Sequence, residues 1–141
     1  VEVVGLSLRA ADDSVVGARL RTHCDHFVDL GSLSDDAAAA EIERLQIDVL
    51  VDVNGYTRGH RVGILARRPA AVVAGYLGFP GTSGSSSLDY LVADRWIVPP
   101  QERAHYSESL AFLPSATLPR DGSWMDAAPR PSRDSEGLQD N

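Results

Sequence analysis

The chain has 141 residues, of which 43% are hydrophobic, and this is enough for one compact domain with a real core and argues against wholesale disorder. Its formal net charge of -7 argues against nucleic acid or an anionic membrane as the main partner, because both reward clustered arginine and lysine. The single cysteine excludes an internal disulfide framework, and no apolar run approaches the roughly 20 residues of a membrane span.

Apolar, β-branched runs alternate with helical patterns between residues 1 and 113. The predicted strands are residues 1–8, 26–30, 47–53, 71–76, 90–98 and 107–113. The predicted helices are residues 15–24, with Asp12, Asp13 and Ser14 at the cap, residues 37–45, with Ser34, Asp35 and Asp36 at the cap, and residues 62–68. This alternation predicts an α/β fold with a Rossmann-like, mostly parallel sheet and flanking helices.

The strand at residues 47–53 is a nearly continuous run of Ile, Val and Leu, interrupted by Asp48 and Asp52. Strands covered by helices on both faces have this composition, so we predict that it is parallel and central. The two aspartates lie four residues apart and therefore share a face, where one or both are expected to order a loop at the end of the sheet.

From Pro114 the composition changes to Pro, Ser, Asp and Gly with few large apolar groups. Such a segment buries too little surface to offset the loss of chain entropy, although Trp124 and Met125 offer local docking groups. We therefore predict that residues 1–113 form the folded lobe and that residues 114–141 are a linker or tail.

The first of two glycine-bearing turns, residues 54–61, follows the strand at 47–53. Asn54 can cap the strand end, Gly55 and Gly59 can adopt dihedral angles that other residues resist, and Thr57 presents a hydroxyl. Arg61 is predicted to reach an anionic or carbonyl oxygen. The alternative is an ordinary strand-to-helix loop without a ligand.

The second turn, residues 77–84, follows the strand at 71–76. Pro80 fixes one φ angle, while Gly78, Gly81 and Gly84 leave the backbone bare, so that a sugar or phosphate can approach closely. A tight solvent-exposed crossover is the alternative. Neither turn matches the GxGxxG or P-loop spacing, but turns at two strand ends predict one ligand cleft at the carboxyl edge of the sheet.

Other polar residues favour structural roles. The histidines have no zinc-site spacing, so no metal site is predicted, and His60 is expected to be a bystander in the first turn. Asp89 and Asp94 are expected to fix turns, and Glu102 and Glu108 to be solvated surface residues.

Five blocks of the sequence resemble the catalytic region of protein O-linked N-acetylglucosamine transferases and occur in the same order. They are DVLVDVNGYTRG at 48–59, LARRPA at 65–70, LGFPGTSG at 77–84, DYLVAD at 89–94 and YSE at 106–108. Weaker likeness extends through residues 1–8 and 24–30 and reaches 131–133 and 136–138.

The resemblance implies part of the N-terminal lobe of a GT-B glycosyltransferase, an enzyme with two Rossmann-like lobes that is often preceded by tetratricopeptide repeats. Such enzymes transfer N-acetylglucosamine, with inversion, from UDP-N-acetylglucosamine to Ser or Thr hydroxyls of proteins, with no further cofactor. The resemblance also implies a cytoplasmic location, with a UDP-sugar and a protein or peptide acceptor as partners. The residues predicted to bind substrate are Asn54, Tyr56, Thr57, Gly59, Arg61, Leu77, Gly78, Pro80, Gly81 and Thr82.

The chain also departs from the family pattern. The Asp/His motif that would carry catalytic residues would lie upstream of Val1, and the second lobe would follow Asn141, so no catalytic residue is assigned and the piece alone is expected to be inactive. His60 stands where the family favours a small residue. A non-catalytic Rossmann-like binding or scaffold module, and a related transferase acting on Asn or a small molecule, remain alternatives.

Overall fold

A computed structural model describes residues 1–9, 14–119, 131–132 and 134–137. All the strand pairings are parallel, in a two-stranded sheet of order β1-β2 and a four-stranded sheet of order β3-β4-β5-β6. The strands are β1 Val4–Ser7, β2 His26–Asp29, β3 Val49–Asp52, β4 Val72–Gly75, β5 Tyr90–Ala93 and β6 Ser109–Phe112. The helices are α1 Val15–Thr22, α2 Asp35–Arg44 and α3 Val62–Leu65, followed by a 3-10 helix at Pro100–His105 and a further 3-10 turn at Asp134–Glu136. The predicted parallel α/β architecture is confirmed.

Both longer helices begin at the serine that the sequence predicts as a cap. The Ser14 hydroxyl accepts from the Gly17 N–H at 3.0 Å, and the Ser34 hydroxyl accepts from the Ala37 N–H at 3.2 Å. Each bond satisfies one of the backbone donors that the first helical turn leaves unpaired. The acids at 35 and 36 lie in the first turn of α2, where the helix dipole favours negative charge. Asp12 and Asp13, predicted as further caps of α1, lie outside the described residues.

The core has two clusters. One joins Leu30 to Ala38, Ala39 and Ile42 of α2 and to Ile64 of α3. The other joins Leu50, Leu65 and Val73, so that α3 packs directly on β3 and β4. Leu6 of β1 and Ile47 pack against both clusters, which links the two-stranded sheet to the four-stranded one.

The prediction that the strand at 47–53 is central is wrong, because β3 is an edge strand of the four-stranded sheet. Val49, Val51 and Val53 are 52%, 46% and 55% exposed on the face opposite α3. From β3 to β6, each strand lies next to the one before it and always on the same side. Right-handed crossovers that all run in one direction place their connecting segments on the same face of the sheet. Both α3 and Leu88, from the connection between β4 and β5, pack on that face. A nearly continuous apolar run thus marks a parallel strand here, but not its place in the sheet.

The strand predicted at 90–98 is also shorter than expected. It ends at Ala93, because the Asp94 carboxylate accepts from the N–H groups of Trp96 at 2.7 Å and Ile97 at 2.9 Å and closes a turn. Asp94 also accepts from the Thr117 N–H, and the Tyr76 hydroxyl donates to the Thr117 carbonyl at 2.8 Å. Thr117 is therefore buried, so the start of the predicted linker or tail is attached to the sheet. Trp124 and Met125 lie outside the described residues.

No helix in the described ranges is both long and apolar enough to cross a membrane.

Candidate functional site

The two glycine-bearing turns pack against each other backbone to backbone. They follow the adjacent strands β3 and β4, and the Tyr76 N–H donates to the Asp52 carbonyl at 2.9 Å. A Cβ added to Gly78 would lie closer than 3.0 Å to the Asn54 carbonyl group and to the Val53 carbonyl oxygen. Residue 78 therefore has to be glycine for the turns to approach this closely.

A second close contact joins the same turns. Gly55 has a φ of 53°, and a Cβ there would lie 2.5 Å from the Cβ of Phe79. The Tyr56 ring meets the Phe79 ring edge-on, with centroids 5.5 Å apart, and the Tyr56 hydroxyl donates to the Ser83 carbonyl at 2.8 Å. The turns therefore form one continuous wall.

The first turn is ordered by Asp52 at the end of β3. Its carboxylate accepts from the Asn54 N–H at 3.1 Å and from the Gly55 N–H at 2.9 Å, which confirms the expectation that an aspartate orders a loop here. Thr57 then folds back, and its hydroxyl donates to the Asn54 carbonyl at 2.8 Å. The backbone groups that leave the strand are thus satisfied within the turn.

A cavity of about 120 Å³ lies on the α3 side of the sheet and is lined by both turns. Gly55 and Tyr56 line it from the first turn, and Phe79 and Gly81 from the second. Its remaining apolar wall comes from α3 and the sheet, and its polar wall comes from serines at 83–87 and from Glu108, which directly precedes β6. The residues of those two walls include Val62, Leu65, Gly75, Leu91, Ser83, Ser85, Ser87 and Glu108. A mixed surface of this kind suits a ligand with both apolar and hydroxyl groups.

The second turn carries local backbone strain at Leu77. Leu77 has a φ of 66°, and the Gly78 N–H donates to the Tyr76 carbonyl at 2.8 Å, which makes a tight γ-turn. Non-glycine residues with positive φ are uncommon and cluster at ligand sites. Leu77 and Pro80 line a second, smaller cavity beside the turn.

Glu108 was predicted to be a solvated surface residue, and this prediction is wrong. Only 5% of it is exposed, and it lines the larger cavity. Its carboxylate accepts from the Thr82 hydroxyl at 2.7 Å, from the Ser83 N–H at 2.7 Å and from the Ser83 hydroxyl. Burial acts to raise the pKa of Glu108, but the hydrogen bonds from Ser83 and Thr82 outweigh it and hold the pKa below its ordinary value. The donors lie about 25 positions earlier in the chain, so no local sequence signal marks this residue.

Arg61 is held by the protein itself. Its guanidinium donates to Asp35 at 2.9 Å, to the Leu30 carbonyl at 2.8 Å and to the Leu33 carbonyl at 2.7 Å, and only 16% of the side chain is exposed. The predicted contact with a carbonyl oxygen exists, but both carbonyls belong to the connection between β2 and α2. The guanidinium therefore already has partners within the protein, and the role of Arg61 in binding substrate stays a prediction.

The other predicted substrate-binding residues lie along the wall formed by the two turns. Tyr56 and Gly81 line the larger cavity, Leu77 and Pro80 line the smaller one, and Thr82 is bonded to Glu108. Asn54 and Gly78 form the contact between the turns, and Thr57 and Gly59 are exposed at the rim. Their role in binding substrate stays a prediction.

His60 is exposed beside Tyr56, with the two rings edge-on and their centroids 6.0 Å apart. Asp94 fixes a turn, as expected, whereas Asp89 accepts from the Val73 N–H of β4 and from Arg68. The Val73 N–H and Arg68 lower the pKa of Asp89, and hydrogen bonds from Thr117 and from the Ile97 and Trp96 N–H groups lower the pKa of Asp94 to about 2.

Comparison with known proteins supplies the remaining findings. The family model described as glycosyl transferase family 41 matches residues 1–126. The chain is 36% identical to the probable UDP-N-acetylglucosamine–peptide N-acetylglucosaminyltransferase SEC of Arabidopsis thaliana, over 100% of this chain and 15% of that protein. It is 36% identical to the UDP-N-acetylglucosamine–peptide N-acetylglucosaminyltransferase of Caenorhabditis elegans, over 81% of this chain and 10% of that protein.

A solved structure is also similar. It is a mutant of the Thermobaculum terrenum O-GlcNAc transferase, with a TM-score of 0.79 and 34% identity over 84% of this chain and 22% of that one. The chain thus spans less than a quarter of the length of each of these relatives.

Proposed function

The chain belongs to glycosyl transferase family 41, and on this basis we propose that the whole protein transfers N-acetylglucosamine from UDP-N-acetylglucosamine to Ser or Thr hydroxyls of proteins. The structural observation that supports the proposal is the joined wall of the two turns, where glycine backbone and a mixed cavity meet at the carboxyl ends of adjacent parallel strands. Ligands of open α/β sheets bind at this edge.

Within the proposal, the wall holds the sugar of the donor. Bare backbone at Gly81, in the wall of the larger cavity, lets an acetamido group approach closely, and the strained Leu77 presents an apolar side chain to the smaller cavity beside the same turn. The Thr57 hydroxyl, at the exposed rim, still has lone pairs that can accept a hydrogen bond from a substrate hydroxyl. These residues bind and orient the sugar.

The chemical step also needs groups that we propose lie outside this chain. Displacement with inversion at the anomeric carbon requires a held diphosphate leaving group and an aligned acceptor hydroxyl at the same time. We assign these tasks to a catalytic Asp/His motif and to a second lobe, with residues 1–113 as part of the first lobe and 114–141 leading towards the second. The piece alone is therefore proposed to be inactive. Tetratricopeptide repeats and a cytoplasmic location belong to this proposal on the strength of the family resemblance.

The test is a transfer assay on the full-length natural protein, with UDP-N-acetylglucosamine and an acceptor peptide. We expect the wild-type protein to glycosylate the peptide, and Gly78→Trp to abolish transfer because an indole cannot fit between the two turns. Thr57→Ala should lower kcat/KM about tenfold, since it removes one hydroxyl from the rim. Gly84→Ala is the matched control, because a Cβ at residue 84 meets nothing within 4 Å.

Absence of transfer by the intact wild-type protein would reject the proposal. Calorimetric binding of the nucleotide sugar without turnover would instead favour the binding or scaffold module.

A further inference from the structure

The loop at residues 82–87 forms one wall of the larger cavity but has little regular structure of its own. In the described part of the chain, no backbone–backbone hydrogen bond involves residues 79–88. The side-chain oxygens of Thr82, Ser83 and Ser85 each accept from the N–H two positions later, at 3.2, 3.1 and 3.1 Å. These bonds shape the loop locally, but they do not attach it to the sheet.

Glu108 attaches the loop to the sheet from a position directly before β6. One carboxylate oxygen accepts from the N–H and hydroxyl of Ser83, and the other accepts from the Thr82 hydroxyl. The described ion pairs do not include Glu108, so hydrogen bonds are what compensate its buried charge. The Ser107 N–H also donates to the Thr82 hydroxyl, and Arg68 donates to the Ser86 carbonyl, both at 3.2 Å. Hydrogen bonds to a charged acceptor are the stronger kind, so the loss of Glu108 removes the strongest of these attachments.

Ser83, which is bonded to Glu108, also contacts the first turn. The Ser83 carbonyl accepts from the Tyr56 hydroxyl, and the Tyr56 ring packs edge-on against Phe79. A continuous series of contacts therefore runs from Glu108 through Ser83 to Tyr56. It links the polar wall of the cavity to the first turn.

We propose that Glu108 is a positioning residue for the sugar-nucleotide donor. It acts through Ser83 and Tyr56, because it holds the polar wall of the cavity against the first turn. This inference rests on the proposed function for the identity of the donor. Glu108 acts at a distance from the reacting atoms, so its loss weakens donor binding in the ground state and the transition state equally. The donor KM rises, while kcat is kept.

The experiment compares Glu108→Ala with Glu108→Gln in the full-length protein. The amide oxygen of glutamine can still accept from Ser83, and its NH₂ group can donate to the Thr82 hydroxyl, so the glutamine variant keeps the anchor without the charge. Asp94→Ala is the matched control, because the Asp94 carboxylate also holds backbone N–H groups, those of Trp96 and Ile97, but lies directly after β5, at the other end of the strands from Glu108.

Three quantities are measured: the hydrogen–deuterium exchange rate of residues 79–88, and the steady-state KM and kcat for UDP-N-acetylglucosamine. Glu108→Ala should raise both the exchange rate and the KM about tenfold, whereas Glu108→Gln should keep both within about threefold of wild type. Tyr56→Phe should raise the KM about fivefold, and in the double variant with Glu108→Ala the two effects should be less than additive, because both act through Ser83.

The proposal is wrong if Glu108→Ala leaves the exchange of residues 79–88 unchanged, or if the KM stays at the wild-type value while exchange rises. An equal rise in KM for Asp94→Ala also overturns it. If Glu108→Ala does not fold, Tyr56→Phe decides, and an unchanged KM counts against the proposal. If the wild-type protein binds no UDP-N-acetylglucosamine, the proposed function and the donor named here are both refuted. The exchange data still establish in that case whether Glu108 positions the loop.

Discussion

The contact between the two turns can be tested directly by replacing Gly78 with alanine. The φ of Gly78 lies outside the left-handed region, so alanine fits the backbone and its only cost is steric. The new Cβ would lie closer than 3.0 Å to the backbone of Val53 and Asn54, whereas ordinary contact begins at 3.4 Å, so the turns have to separate by more than 0.4 Å. Backbone cannot rotate away as a side chain can, and we expect a loss of about 3 kcal/mol, at the upper end of overpacking costs.

Native-state hydrogen exchange of β3 and β4 in the full-length protein measures this loss separately from any other domain. A loss of about 3 kcal/mol corresponds to exchange roughly 100-fold faster. Gly84→Ala is the control, because there the backbone and not the space is unfavourable: the φ of 64° disfavours alanine, but the new Cβ would meet nothing within 4 Å. We expect this variant to lose about 1 kcal/mol of stability. If Gly78→Ala exchanges no faster than Gly84→Ala, the turns are not in the contact described.

Three further substitutions address single contacts. The folded-state pKa of Asp94 is lowered from 3.8 to about 2, so its contribution to stability is present above pH 3.8 and is lost as the pH falls through about 2. In thermal unfolding, the loss of stability caused by Asp94→Asn should therefore become smaller as the pH falls from 3.8 to about 2. Arg61→Lys cannot satisfy Asp35 and both carbonyl groups, and urea unfolding should show a loss of about 2 kcal/mol with an unchanged donor KM. A raised donor KM without loss of stability would instead favour the predicted role of Arg61 in binding substrate. Gln46 is exposed directly after the C-cap of α2 with a φ of 53°, so Gln46→Gly should raise the free energy of unfolding by about 0.5–1 kcal/mol, and a decrease would contradict this reasoning.

Local signals in the sequence were sufficient for the order of elements and for the two turns. Ser34 followed by two acids marks the start of α2, and glycines after two apolar runs mark the ends of β3 and β4. These features depend on neighbouring residues, which a sequence displays. The packing of Gly78 on the first turn follows from the adjacency of two parallel strands, which the alternating pattern also predicts.

Features that depend on distant partners were not accessible in this way. Arg61 offers a guanidinium to any acceptor, and only the folded chain shows that Asp35, 26 positions earlier, is its partner. Glu108 lies between serines in a polar stretch, and its burial depends on a loop that returns from β4. The edge position of β3 is likewise a property of strand order, which a run of valines does not encode.

The open face of the four-stranded sheet has a practical consequence for handling this segment. Half-exposed Val49, Val51 and Val53 lie in a row along the edge strand, and Tyr90, which is 43% exposed, lies on the same face two strands away, across β4. In concentrated solution, two copies of residues 1–141 can shield these rows by laying them against each other. Light scattering of the isolated segment should therefore rise with concentration, and a polar replacement at Val51 should suppress that rise while leaving the two turns intact.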